Sequence, residues 1–327
     1  MKQLIDRFGR VHNAMRISVT DKCNLRCHYC MPVTGVACAP REQLLSFEQI
    51  VATVRVANRL GIDRIRVTGG EPLLRRELPA LIGMLKRETD STNVSLTTNA
   101  LLLERHAEAL AEAGLDRVNV SLDSLRPDRF EKITRHGVLE TVWRGIEAAT
   151  RVGLAPIKIN TLLLSGFNDD EIDDWIELTM QHDISVRFME LMPIGEGAKM
   201  GDIGGYLNLT ELKDRLVETR GLVALGGDGG NGPACYYGVP GAKGKLGFIT
   251  PLSNKYCGTC SRMRLTSTGE LRACLAFDKH VDISEAIRRG DEEGIEAGFV
   301  RAIGEKPAGH NWENGQVTRI GMSTLGG

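Results

Sequence analysis

Over the first 192 residues, short apolar runs alternate with longer stretches in which apolar positions recur every three or four residues. The short runs predict strands at Arg16–Thr20, Arg64–Thr68, Asn93–Thr97, Arg117–Ser121, Pro156–Leu162 and Val186–Glu190. The longer ones predict helices. In the clearest, Phe47, Ile50, Val51, Val54 and Ala57 form one stripe. Ser46 with Gln49 predicts a capping box at its start, and Gly61 its stop. Further helices are predicted near Glu77–Glu88, Glu104–Ala113, Leu139–Val152 and Asp170–Gln181. Strands alternating with helices predict an α/β fold with parallel strands and right-handed crossovers. Six such units are too few for a closed eight-stranded barrel, so the expectation is a partial (β/α)6 TIM-like barrel.

The rhythm changes after Met192. Glycine-rich stretches run from Gly195 to Gly205 and from Gly226 to Gly232, with a helix predicted near Leu209–Thr219 between them. The expected division is a barrel core over 1–195 and a C-terminal extension over 196–327 that closes the open barrel. In sheets of this kind chemistry collects at the carboxyl ends of the strands. Unusual residues fall there: cysteines after the first strand, Gly69-Gly70-Glu71-Pro72 after the second, Thr98-Asn99 after the third and Asp123 after the fourth.

Composition narrows the function classes. Lys plus Arg is 41 against 42 for Asp plus Glu, a net charge of −1. There is no global basic field to attract nucleic acid or an anionic membrane. Met1–Arg10 lacks the apolar core of a signal peptide, and no apolar run is long enough to span a bilayer. A cytoplasmic protein with reduced thiols is expected. Its eight cysteines then call for a role other than disulfides.

Six of the eight fall into two groups of three. Cys23, Cys27 and Cys30 follow C-x3-C-x2-C; Cys257, Cys260 and Cys274 follow C-x2-C-x13-C. Closely spaced thiolates suit a soft metal centre. Three ligands complete neither a tetrahedral zinc site nor a four-cysteine cluster, but on a [4Fe–4S] cube they leave one iron open. A zinc site with a distant fourth ligand is the alternative for each group, with His280 the candidate beside the second. Arg262 and Arg264, either side of Met263, share a face on an extended segment and would seat an anion; a solvated strand face is the plainer reading. Cys38 and Cys235 fit neither spacing and read as incidental thiols.

These motifs resemble the radical S-adenosylmethionine (SAM) superfamily: the three-cysteine loop after the first strand, Tyr29 before its last cysteine, and the Gly69-Gly70-Glu71-Pro72 turn. With the second triad, Arg262–Arg264 and a chain ending in Gly326-Gly327, the resemblance is to the GTP 3',8-cyclase family, lyases of molybdenum cofactor biosynthesis, and covers nearly the whole chain. It implies two [4Fe–4S] clusters, one on each triad, with SAM on the open iron of the first and the GTP purine on that of the second. It assigns Tyr29, Gly70, Ser121 and Met192 to SAM, and Arg16, Arg66, Thr97, Lys158, Arg262, Met263 and Arg264 to GTP. It sends the Gly326-Gly327 tail toward the active site. The implied reaction is C3' hydrogen abstraction by a 5'-deoxyadenosyl radical, then C3'–C8 bond formation, giving (8S)-3',8-cyclo-7,8-dihydroguanosine 5'-triphosphate. The implied partners are a second copy in a homodimer, a reductant protein, and a cyclic pyranopterin monophosphate synthase that takes the product. Two other readings compete. A radical SAM peptide-modifying enzyme would leave the terminal glycines unexplained. An electron-transfer or metal-binding interaction protein would have no use for the Gly-Gly-Glu-Pro turn.

Overall fold

The computed structural model describes residues 3–200, 203–226 and 232–326. Its strands, in chain order, are β1 (Leu4–Ile5), β2 (Val11–His12), β3 (Ala14–Ser18), β4 (Arg64–Thr68), β5 (Asn93–Thr98), β6 (Arg117–Ser121), β7 (Ile157–Leu162), β8 (Ile184–Met189), β9 (Val223–Ala224), β10 (Cys235–Gly238), β11 (Lys245–Ile249), β12 (Arg262–Leu265), β13 (Glu270–Arg272) and β14 (Val281–Asp282). All but the β1–β2 hairpin belong to one sheet of order β14-β13-β12-β3-β4-β5-β6-β7-β8-β11-β10-β9.

The six predicted strands form the run β3 to β8, paired in parallel throughout. The extension does not make a sheet of its own. It adds β11 in parallel beside β8 and β12 in parallel beside β3, one at each edge. No pairing between β11 and β12 joins the edges among the described residues. The expected closure by the extension is therefore not a strand-to-strand seam: the extension lengthens the sheet at both edges.

The helices lie where the period put them. The first is α1 (Phe47–Arg59), opened by the Ser46 capping box: Ser46 Oγ accepts from Gln49 N at 3.2 Å, and Gln49 Oε1 from Ser46 N at 2.8 Å. Then follow α2 (Leu78–Glu88), α3 (Leu103–Glu112), α4 (Pro127–Thr134), α5 (Leu139–Arg151), α6 (Ile172–Gln181) and α7 (Leu209–Arg220). The extension ends in α8 (Ser284–Arg289), α9 (Glu292–Gly304) and the short α10 (Met322–Leu325). α4, α8, α9 and α10 have no counterpart in the sequence reading.

Alternation along the strands decides what each face of the sheet is for. Ile17, Val67, Val94, Leu96, Val118, Val120, Ile159, Val186 and Phe188 are fully buried. The residues between them are polar: Arg16 and Ser18, Arg64 and Arg66, Ser95 and Thr97, Arg117 and Asn119, Lys158 and Asn160, Ser185 and Arg187. A parallel sheet covered on both faces usually reads as continuous apolar runs. Here one face packs into the core and the other is chemical.

Candidate active site

Three cavities open on that polar face. The first surrounds Cys23, Cys27 and Cys30, on the loop that leaves β3. It is also lined by Tyr29, Thr68, Gly69, Gly70, Thr97, Asn99, Ser121, Met322 and Ser323, and has a volume of about 640 Å³. The turn after β4 presses against the thiol loop: Gly70 N donates to Thr20 O and Glu71 N to Lys22 O, each at 2.7 Å. A Cβ on Gly69 would lie 2.6 Å from Thr20 O, and one on Gly70 2.6 Å from Asp21 O, so both positions need glycine for this approach. Glu71 then staples the turn to the next strand, its buried carboxylate accepting from Thr98 Oγ1 at 2.7 Å, Asn99 N at 2.8 Å and Leu73 N at 3.0 Å. Burial outweighs these bonds and raises its pKa to about 7. Tyr29 OH donates to Asp123 Oδ2 at 2.8 Å, which ties the end of the loop to the segment after β6.

Burial raises all three thiols of this triad: Cys23 to about 11, Cys30 to about 12, and Cys27 well above its ordinary value. Thiolates held here need a compensating positive centre, such as a metal. Among the described residues no three His, Cys, Asp or Glu side chains are gathered as around a single metal ion. His280 is exposed; its Nε2 lies 3.7 Å from Glu270, and its Nδ1 3.4 Å from both Arg272 Nη2 and the Asp278 carbonyl. None of the eight cysteines is in a disulfide, and Cys38 and Cys235 are exposed, apart from both triads.

The second cavity, about 590 Å³, is lined by Cys257, Cys260 and Cys274 with Met192, Tyr256, Arg262, Met263, Arg264, Arg272, His310 and Trp312. Burial pushes the Cys260 thiol up, but Arg262 and Lys306 beside it more than reverse that and bring it down to about 6. Burial raises Cys274.

The third cavity, about 660 Å³, is basic. Arg16, Arg64, Arg66, Arg117, Lys158, Arg187 and Arg262 line it with Asn93, Ser95 and Tyr236, and no described lining residue is acidic. Register explains the concentration. Arg264, Arg16 and Arg66 stand abreast on neighbouring strands, with Ser95 and then Arg117 continuing the row. Burial and then the neighbouring arginines lower Arg16 to about 10, and the same causes in the same order lower Arg66. Like charges directly opposite one another destabilise a sheet, so the row suits a polyanion.

The basic residues begin at the opposite end of the sheet from the first triad. Arg64, Asn93, Arg117 and Arg262 are the first residues of their strands, whereas Cys23–Cys30 and the Gly-Gly turn follow strand carboxyl ends. Thus β4 carries Arg64 and Arg66 into the basic cavity and Thr68 into the first, while Arg262 borders both the basic and the second thiol cavities. The tail is the third connection. Arg264 Nη1 donates to Leu325 O at 2.9 Å and to Gly326 O, while Met322 and Ser323 of the same short helix line the first cavity.

Most of the residues singled out in the sequence lie around these cavities, but not always with the expected companions. Tyr29, Gly70 and Ser121 line the first cavity; Met192 lines the second, among the other thiols. Thr97 lines the first cavity rather than the basic one, its buried Oγ1 without a partner. Met263 is buried in the apolar rows between its two arginines. Gly327 lies outside the described residues. The sequence reading passed over Arg64, Arg117, Arg187 and Tyr236. Arg187, an arginine between the buried Val186 and Phe188, carried the available signal.

Residues 17–179 match the Radical SAM superfamily and residues 184–312 match Molybdenum Cofactor Synthesis C. The chain is 43% identical over 325 residues to the GTP 3',8-cyclase of Petrotoga mobilis, covering 99% of this chain and 100% of the relative. It is 45% identical over 323 residues to that of Moorella thermoacetica, covering 98% and 99%. The crystal structure of Streptococcus suis SuiB bound to S-adenosylmethionine has a similar fold: TM-score 0.62, 15% identity, 85% of this chain and 65% of that one.

Proposed function

Because the chain belongs to the GTP 3',8-cyclase family of radical SAM enzymes, we propose that its two thiol triads and the basic cavity divide one reaction between them. The activity is the radical SAM cyclisation of GTP in molybdenum cofactor synthesis, a lyase reaction, and an iron–sulfur cluster and SAM come with it. Our finer reading is a [4Fe–4S] cluster on Cys23, Cys27 and Cys30, and a second on Cys257, Cys260 and Cys274. Held by Cys23, Cys27 and Cys30, a reduced cluster with SAM would supply the radical chemistry that removes the C3' hydrogen of GTP.

The chain's own residues do the rest. Gly69 and Gly70 bring backbone close to the thiol loop, where SAM would lie with Tyr29 and Ser121 beside it. Lys158, Arg66, Arg16 and Arg262 hold the triphosphate, and the second triad takes the purine. Anchoring both ends of GTP aims C3' at the first cavity and lowers the entropy cost of the encounter. Arg264 holds the tail, whose Met322 and Ser323 line that cavity, and so helps to exclude water from it. The observation that carries this reading is the array of seven cations, with no acidic lining residue among the described ones, on the face that also carries the two thiol triads. Residues from β12, β3 to β8 and the segment before β10 all reach that one cavity, which supports a sheet curved as a partial barrel, with 1–195 as core and 196–327 as extension. A homodimer, a reductant protein, a synthase consuming the product and a cytoplasmic location complete the proposal. No helix among the described residues is long and apolar enough to cross a membrane.

Anaerobic reconstitution tests the division of labour. Cys27→Ser should lose SAM cleavage and keep the second cluster. Cys260→Ser should keep SAM cleavage, uncoupled, and lose the cyclised product. Identical behaviour of two folded variants, each with one cluster, would overturn the assignment.

A further inference from the structure

Lys306 is among the largest fully buried side chains, with 1% of its surface exposed. It follows α9, far in sequence from either triad, and no described carboxylate pairs with it. Its Nζ donates to Arg262 O at 2.6 Å and lies 3.4 Å from His12 Nδ1 and 3.5 Å from Cys260 Sγ. An ammonium this deep needs a compensating charge or a full set of acceptors.

The contacts behind it fix its orientation. His12 Nε2 lies 3.1 Å from Asp6 Oδ2, and both side chains are wholly buried. Asp6 Oδ2 also accepts from Arg10 Nε at 2.6 Å. The carboxylate oxygen can only accept, so His12 Nε2 carries the proton and Nδ1 is left as an acceptor facing Lys306. Arg10 reaches the same loop, donating to Cys257 O at 2.8 Å, Pro307 O at 2.6 Å and Ala308 O at 2.9 Å. The chain Asp6–His12–Lys306 therefore ends on a sulfur of the second triad.

We propose that Lys306 is a positioning residue whose ammonium, braced by His12 and Asp6, donates to the Cys260 sulfur and sets the reduction potential of the iron–sulfur cluster held there. This rests on the reading of Cys257, Cys260 and Cys274 as cluster ligands. Cluster potentials follow net charge and hydrogen bonds to the sulfurs. A cation at 3.5 Å favours the reduced, more negative state. The same Nζ fixes the Arg262 carbonyl, so the substrate-facing arginine and the cluster are held by one group.

The test uses the full chain with Cys23, Cys27 and Cys30 all replaced by serine, so that only the second site can hold iron. Iron and sulfide are counted, and the midpoint potential is followed by electron paramagnetic resonance during reductive titration. Lys306→Met should move the midpoint to more negative potential, and Lys306→Arg should restore it. Asp6→Asn removes a negative charge and should move it the opposite way. A serine-substituted parent with no cluster would overturn the reading of the triad, and this proposal with it. A parent with its cluster, and a Lys306→Met midpoint equal to it, would overturn the proposal alone. So would equal shifts of the same sign in Lys306→Met and Asp6→Asn, which describe mere loosening. If Lys306→Met assembles no cluster, the sign in Asp6→Asn decides.

Discussion

Replacing Gly326 by alanine tests whether the tail's seat matters to the chemistry. Gly326 has φ +71° and ψ +104°, a conformation that L side chains rarely adopt. Forcing a residue with a Cβ to hold such a conformation costs about 1–3 kcal/mol. The new Cβ would also collide with Thr68 Oγ1 and stand 3.6 Å from Ser18 Cβ. Thr68 is buried and branched at Cβ, so it cannot easily swing away. The backbone cost alone lowers the ratio of seated to unseated tail by roughly 5- to 150-fold, and the collision adds to it. Undocking frees Arg264 from the carbonyls of Leu325 and Gly326. It should leave both triads intact, since the tail supplies no thiol. The assay is cyclised product per SAM cleaved, for Gly326→Ala beside a chain ending at Leu325. The expected outcome is SAM cleavage near the parent rate, with product per cleavage falling in both variants. An unchanged ratio in Gly326→Ala would refute the argument that the tail must seat for cyclisation.

Further outcomes follow from other contacts. Lys158→Ala should weaken GTP binding by about ten-fold or more, since a charge-assisted contact is worth roughly 1.5–3 kcal/mol; guanosine, measured by the same calorimetry, should lose little, and equal losses would count against a phosphate contact. Arg66→Met removes one member of the like-charged row, so the ligand-free protein should unfold at a higher temperature while GTP binds less tightly; a fall in both would mean that Arg66 is held by bonds within the fold. Ser46→Ala should cost about 1 kcal/mol of stability through the lost cap, seen as a lower urea midpoint, with product per SAM cleaved unchanged.

How much of this was legible in the chain depended on range. α1 was readable because its cap, stripe and stop are all local: Ser46 with Gln49, Ile50 to Ala57, then Gly61. The two triads were readable because cysteine spacing is sequence information. α9 was hidden by Gly294, Gly298 and Gly304, residues that weaken helices. Gly298 has a packing reason, since a Cβ there would strike Ile283 Cγ2. The placing of β11 and β12 at opposite edges of the main sheet was out of reach, because those pairings join residues far apart in sequence. The basic cavity was half legible. Arg16, Arg66 and Lys158 were singled out by resemblance, yet plain alternation in Arg64-Ile65-Arg66 and Val186-Arg187-Phe188 puts Arg64 and Arg187 on polar positions too. Nothing local marks Lys306, whose partners are His12 and Cys260.

The row Arg264–Arg16–Arg66 ties these features into one physical argument. Guanidiniums abreast on adjacent strands repel, and burial deprives them of the water that would screen them. A fold tolerates such an array where something else supplies acceptors. At one end the chain does so itself: Arg264 is answered by the carbonyls of Leu325 and Gly326. At Arg16 and Arg66 the neighbouring positions are Ala14, Ser18, Arg64 and Thr68, and none carries a negative charge. A ligand can supply compensating charge there, and a triphosphate brings several. Arg264 is thus shared, facing tail carbonyls on one side and standing beside Arg16 on the other. A shift of the tail reaches the arginine row through that guanidinium. Gly326, which has no side chain to bury, can then influence the placement of GTP through the seat of the tail.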